Sequence, residues 1–367
     1  MQEHTAVPMF NFDRPRSARP ATPPATPRLS THWSLILHRD LFTADAQARD
    51  SEQVTLEAAD GFRIAAEHHP AAGHTRAHVV VAGAVGVPQR FYRRFAAFAA
   101  AAGYATLTFD FRGLGRSAPR SLDGFRMDYF DWGRQDLAAA IAAMSRPDVP
   151  LYVVGHSYGG HSFGLVPQPE RVAAMFTFGT GAGWHGWMPP LERIRVLTMW
   201  HILGPLLTRW NGYLAWSLLG MGEDIPLDFY RSWKRWCRYP RYYFDDPSMA
   251  HIARRYERVR APLMAANSTD DRWSPPASRD AFIAGYRNAA RETADIEPAR
   301  FGMKSIGHLG YFRPDAVRLW EYALAWLDAC SARTTAEQLA ATTHAPWRSR
   351  PLNRAEGLTH DTERSHS

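Results

Sequence analysis

Gly155-His156-Ser157-Tyr158-Gly159 is the stretch whose residue types and spacing could do covalent chemistry. A serine at the tip of a sharp strand-to-helix turn is held in a strained backbone conformation. Its neighbours two positions away must lack a Cβ so that the returning helix can pass close to the strand. Leu151-Tyr-Val-Val154 supplies an apolar, strand-favouring run before the turn, and Gly160 adds a further small residue behind it. The pattern predicts a Ser157 hydroxyl thrust into a cleft, over a helix start that favours developing negative charge.

A hydroxyl is a poor nucleophile at neutral pH, so it needs a base, and the base needs an orienting carboxylate. In an open parallel sheet such groups sit at the carboxyl ends of strands. After Ser157 the chain order to look for is acid, then histidine. The run Val172–Phe178 ends in Gly179-Thr-Gly181, without a carboxylate. Pro262–Asn267 leads into Asp270 and Asp271, ahead of Arg-Trp-Ser-Pro-Pro276. A last strand at about Arg300–Ser305 leads into Gly307-His308-Leu-Gly310. One serine, one acid pair and one histidine thus fall at strand ends in that order.

The elements that must position these groups are legible in outline. Gln53–Glu57 and Phe62–His68 read as two strands around Asp60-Gly61. Ala77–Ala82 and Tyr104–Phe109 are unalternating apolar runs, as in strands covered on both faces. Helices are expected at about Gln89–Ala102, capped by Gly103, at Trp132–Met144 and at Leu319–Ala329. Strands alternating with helices predict an α/β protein with a mainly parallel, doubly covered sheet. Residues 51–181 and 261–330 form this core. Residues 182–260 show no clear strand and hold 7 of the 13 tryptophans, which predicts a helical aromatic-rich cap inserted between sheet strands. Residues 1–50 are a flexible Pro- and Arg-rich arm, and 331–367 a flexible tail with at most one weak helix.

Composition narrows the function classes. An apolar fraction of 46% in 367 residues supports a sizeable core. Cys237 and Cys330 make neither a disulfide framework nor a metal site, so a reducing, cytoplasmic setting and no metal or cofactor are expected. The first residues lack a basic region followed by an apolar run, so no signal peptide is expected. The net charge of +7 is carried almost wholly by arginine, because Lys234 and Lys304 are the only lysines. No motif accompanies it that would point to nucleic acid. Apolar runs on either side of Arg209 fall short of the roughly 20 residues that span a bilayer. The basic, aromatic segment leaves peripheral membrane contact open, and the sequence leaves the oligomeric state open. Gly83, Gly86 and Gly115 form no dinucleotide fingerprint. His156 and His161 read as packing residues, and Asp110 and Arg112 as braces beside the Ser157 turn.

Gly155-His-Ser157-Tyr-Gly159, Asp110-Phe-Arg112-Gly113-Leu-Gly115-Arg-Ser117, Asp271 ahead of Trp-Ser-Pro-Pro, and Gly307-His308 together resemble the α/β-hydrolase superfamily over about residues 53–330. The likeness is greatest to its serine-aminopeptidase-like and lysophospholipase-like branches of poorly characterised serine hydrolases. The resemblance implies the α/β-hydrolase fold, Ser157 as nucleophile, His308 as base then acid, and Asp271 as its orienting partner. Asp271 is chosen over Asp270 because the family's acid lies about four residues before the proline that follows. It implies an oxyanion hole from the backbone N–H groups of Tyr158 and Ala84. Many relatives carry His-Gly before the latter residue, where this chain has Ala82-Gly83. Val85, Trp184, Trp187 and Trp200 are expected against the substrate, with Trp210 a further candidate. The expected activity is hydrolysis of a small or medium apolar carboxylic ester, a small-molecule substrate. A peptidase, thioesterase or acyltransferase with the same triad, and a non-catalytic binding protein on the same scaffold, are the alternatives.

Overall fold

The computed structural model describes residues 51–343, so the expected arm at 1–50 and the end of the expected tail lie outside the described residues. β1 (Glu52–Glu57) and β2 (Arg63–His69) pair antiparallel about the Asp60-Gly61 turn. β2 lies antiparallel to β4 (Tyr104–Phe109), and every pairing beyond is parallel, through β3 (Ala77–Ala82), β5 (Leu151–His156), β6 (Ala174–Phe178), β7 (Leu263–Ser268) and β8 (Arg291–Ile296). The order across the sheet is β1-β2-β4-β3-β5-β6-β7-β8. β4 to β7 are buried along their whole length, which explains their unalternating apolar sequences.

Helices cover the sheet. A 3-10 turn at Gln89–Tyr92 leads into α1 (Arg93–Ala101), and Gly103 follows it at φ 91°. A π-helical turn at Trp132–Leu137 leads into α2 (Ala138–Met144), and α3 (Tyr158–Phe163) follows β5. Between β6 and β7 lie α4 (Pro190–Thr198), a π-helical turn at Met199–Leu203, α5 (Gly204–Asn211), α6 (Leu227–Trp236) and α7 (Ala250–Tyr256), with no strand. Buried rings fasten this segment to the core: Phe229 stacks on Trp132 at 4.0 Å and on Tyr129 at 4.5 Å between centroids. α8 (Pro276–Ile283) follows β7, and α9 (Val317–Thr343) ends the described chain.

Two expectations need correction. Arg300–Ser305 is not a strand: a 3-10 turn occupies Pro298–Phe301 and Gly302 leaves it at φ 74°. The last strand is β8, whose Arg-Glu-Thr-Ala-Asp-Ile sequence is polar because it lies at the sheet's edge and is largely exposed. The final helix also runs past the expected Ala329 to Thr343. Among the described residues no helix is long and apolar enough to cross a membrane, and no cluster of side chains could hold a metal ion.

Candidate functional site

Ser157 stands between the end of β5 and the start of α3, at φ 52° and ψ −110°. It is one of only two non-glycine residues with positive φ among the described residues. The glycines around it are demanded by contact. A Cβ on Gly155 would lie 2.8 Å from the Gly160 nitrogen, and one on Gly159 would lie 2.0 Å from the Ala82 carbonyl oxygen. The helix can return this close to the sheet only without side chains there.

The structure brings His308 and both candidate acids to this turn. His308 Nε2 lies 2.9 Å from Ser157 Oγ, and Nδ1 lies 2.9 Å from Asp271 Oδ2. A carboxylate can only accept, so Nδ1 carries the proton and Nε2 presents its lone pair to the serine hydroxyl. Asp271 is buried, and its oxygens also accept from the Trp273 N–H at 3.0 Å, the Ser274 N–H at 2.9 Å and the Tyr311 hydroxyl at 3.1 Å. Burial pushes the Asp271 carboxyl up, but His308 and these donors outweigh it and hold the group below its ordinary range. Asp270 has another task. It accepts from the backbone N–H groups of Ile306 at 2.9 Å and Gly307 at 2.8 Å, which fixes the loop that carries His308.

Behind the serine, His156 is fully buried. Its Nε2 lies 2.8 Å from the His308 backbone carbonyl, so that nitrogen donates. Its Nδ1 must then accept, and the Tyr92 hydroxyl donates to it at 2.9 Å. The same hydroxyl accepts the Ala84 N–H at 2.8 Å. This runs against the expectation for Ala84: the residue lines the cavity at Ser157, but its N–H is donated to Tyr92 and is not left free for an oxyanion. Val85, the next residue along that loop, lines the cavity at Ser157, and its N–H has no acceptor among the described residues. Tyr158 is the first residue of α3, so its N–H has no partner within the helix. Asp110 and Arg112 brace the surroundings. Asp110 accepts from the Gln89 N–H at 2.7 Å and the Arg116 N–H at 3.0 Å, and Arg112 reaches buried Asp136 at 2.7 Å.

A cavity of about 290 Å³ opens over Ser157 and His308. Val85 lines it as expected, but Trp184, Trp187 and Trp200 do not. The Trp187 indole donates to the Pro240 carbonyl at 2.9 Å and packs on Trp184, while Trp200 is buried against a different groove. The tryptophans at the cavity are Trp216, Trp233 and Trp273. Trp273 was within reach of sequence reasoning, two residues after Asp271. Trp216 and Trp233 carry no local signal that separates them from their neighbours. His161 also lines the cavity, with its ring stacked 3.9 Å from Phe282 and Nε2 donating to the Gly181 carbonyl at 2.9 Å.

Residues 79–318 match the model of the alpha/beta hydrolase family. The chain belongs to that family. Solved structures similar to this alpha/beta hydrolase include a soluble variant of monoglyceride lipase from Saccharomyces cerevisiae in complex with a substrate analogue. That likeness has a TM-score of 0.56 at 16% identity, over 75% of this chain and 95% of the other. DcsB in complex with its substrate analogue is similar at TM-score 0.52 and 15% identity, over 77% of this chain and 99% of the other. The alpha/beta hydrolase GrgF from Penicillium sp. sh18 is similar at 0.51 and 16%, over 77% and 99%. At such identities these likenesses bear on the fold, and they fit the eight-stranded, mostly parallel sheet. No curated protein matches the chain. Membership of the alpha/beta hydrolase family supports a hydrolase activity.

Proposed function

We propose that this protein is a serine hydrolase that cleaves a carboxylic ester of small or medium apolar character through an acyl-enzyme. One observation carries the reading: the unbroken chain of hydrogen bonds from Ser157 Oγ through His308 to buried Asp271. As Ser157 Oγ bonds to the ester carbonyl carbon, its proton passes to His308 Nε2, and Asp271 stabilises the imidazolium formed. The tetrahedral oxyanion is held by the N–H groups of Tyr158 and Val85. The bond to the leaving alkoxide breaks as His308 returns its proton to that oxygen. Water then attacks the acyl-enzyme, giving His308 a proton that passes back to Ser157 as the acid leaves. The apolar lining by Trp216, Trp233 and Trp273 favours an apolar substrate group. In this reading residues 182–260 form a cap over the hydrolase core, contributing Trp216, Met221, Trp233 and Tyr242 to the cavity.

The test is labelling of the purified protein with a fluorophosphonate probe, together with turnover of p-nitrophenyl esters of increasing chain length. Wild type is expected to label, and Ser157→Ala to lose labelling and on the order of 10⁴ to 10⁶ in kcat. Asp271→Asn should lose on the order of 10⁴, because His308 is then held in the wrong tautomer. A Ser157→Ala protein that keeps more than about a tenth of the turnover overturns the assignment.

A further inference from the structure

The segment between β6 and β7 has an outer face that the chemistry at Ser157 does not use. From Pro190 to Asn211 the chain stays helical through α4, the π-helical turn and α5, until Gly212 ends it at φ 76°. The inner side buries Glu192, Val196, Met199, Trp200 and Gly204. The outer side exposes Leu191, Ile194, Ile202, Leu203, Leu206 and Trp210, with Ile194 62% and Trp210 74% accessible. Among the described residues, every exposed large apolar side chain except Leu309 lies between Leu191 and Met221. Scattered exposed leucines are ordinary in a folded protein, but their confinement to one stretch marks a contact surface. Met221 and Leu309 also line the cavity at Ser157, so this apolar surface reaches its mouth.

Charge says what the surface fits. From Arg193 to Gly222 the chain contains no Asp or Glu. Arg193, Arg195 and Arg209 are exposed on the same helix. Beside it, a groove of about 590 Å³ against α6 is lined by Arg209, Arg231, Lys234, Arg235 and Arg238, and by no carboxylate. Arg235 is held by Asp246 at 2.7 Å and Arg231 lies 4.0 Å from Asp228. Arg209, Lys234 and Arg238 have no ion pair among the described residues. An amphipathic helix with indole and aliphatic groups outward, flanked by uncompensated cations, complements the boundary of an anionic bilayer. There the apolar groups enter the acyl region and the cations meet the phosphates. A second copy of this chain would place like charges against each other on the same face.

We infer that the face from Leu191 to Met221, with the basic groove beside it, docks this protein onto an anionic phospholipid surface. Docking there turns the mouth of the Ser157 cavity towards the lipid. The inference stands apart from the chemistry of Ser157, since it rests on a surface.

Vesicle co-sedimentation of the full chain tests it, with phosphatidylcholine alone or mixed in equal parts with phosphatidylglycerol. Wild type is expected to sediment with the anionic vesicles and to be released as salt is raised. The double variant Ile202→Glu, Trp210→Glu and the triple variant Arg209→Gln, Lys234→Gln, Arg238→Gln should each lower the partition coefficient about ten-fold or more. Circular dichroism and thermal unfolding establish that the variants are folded, so no readout depends on turnover. Wild type that ignores anionic vesicles, or either variant binding as wild type does, overturns the inference. Sedimentation velocity showing a wild-type dimer and a monomeric double-glutamate variant would assign the face to a second copy instead.

Discussion

His156 sits beside Ser157 in sequence yet answers to atoms on two other loops. Its ring is fixed as one neutral tautomer, donating to the His308 carbonyl and accepting from Tyr92, which in turn takes the Ala84 N–H. Two loops that flank the serine therefore hang on one buried imidazole. Tyr92→Phe keeps the ring and removes the hydroxyl, leaving the Ala84 N–H and His156 Nδ1 without partners. The expected loss is ~1–3 kcal/mol in urea unfolding. In the same variant, kcat on a p-nitrophenyl ester should fall while probe labelling of Ser157 persists, since the Ser157–His308 contact itself is untouched. Unchanged stability would show that water replaces the hydroxyl and that the relay has no structural weight. The neighbouring acids make a similar point about single positions. Asp271 faces the His308 ring and Asp270 faces the backbone of its loop, a division that adjacency in sequence alone does not announce.

The turn from β5 into α3 is the element that fixes the site, and its tolerance can be stated in ångströms. Gly159→Ala would put a methyl group 2.0 Å from the Ala82 carbonyl oxygen, a backbone atom of β3 that cannot rotate away. Destabilisation at or above ~3 kcal/mol is expected, measured by urea unfolding or seen as loss of folded protein. A variant as stable as wild type would mean that α3 can back away from the sheet. This element was fully legible, because strand, strained serine and small residues are all local signals. So were β3 to β7, since burial on both faces leaves continuous apolar runs. The loop after β3 was half legible: its glycines marked a turn, but which amide faces the cleft depends on Tyr92, a residue eight positions away that only folding brings back. β8 was missed because its polar sequence reflects its place at the edge, which no local pattern encodes. The tryptophans over the serine were misassigned for the same reason. Which of them face the cavity depends on how α4 to α6 cross the sheet, and propensity has no access to that.

At the scale of the whole molecule, buried histidines weigh against stability as the solution is acidified. Burial is the main cause that pushes both His156 and His161 down to about 3 from 6.5. They stay neutral in the folded protein while the unfolded chain takes up protons below 6.5. Their contribution is therefore complete above that value and is lost as pH falls towards 3. Between pH 7 and about pH 5 each should remove about 2 kcal/mol of stability. The acids held low, Asp270 and Asp271, begin to act only below their unfolded value of 3.8, whereas Asp136, which burial pushes up to about 7, and Asp110, also pushed up by burial, take up protons in the folded protein and oppose the loss. His68, His69 and His185 shift in the same direction and deepen the fall. Urea unfolding of wild type and His161→Asn at the two pH values checks this: the change from pH 7 to pH 5 should differ between them by about 2 kcal/mol, and the same change in both would contradict it. The far edge of the sheet has a different bearing on life in a crowded solution. β8 ends the sheet with Arg291, Glu292 and Asp295 exposed, beside a row of backbone groups that no further strand among the described residues covers. Such an edge is a template on which any extended chain could add itself and begin an aggregate, and charged side chains there make that addition costly. The composition that conceals this strand from a reader of the sequence is the same composition that conceals it from other polypeptides.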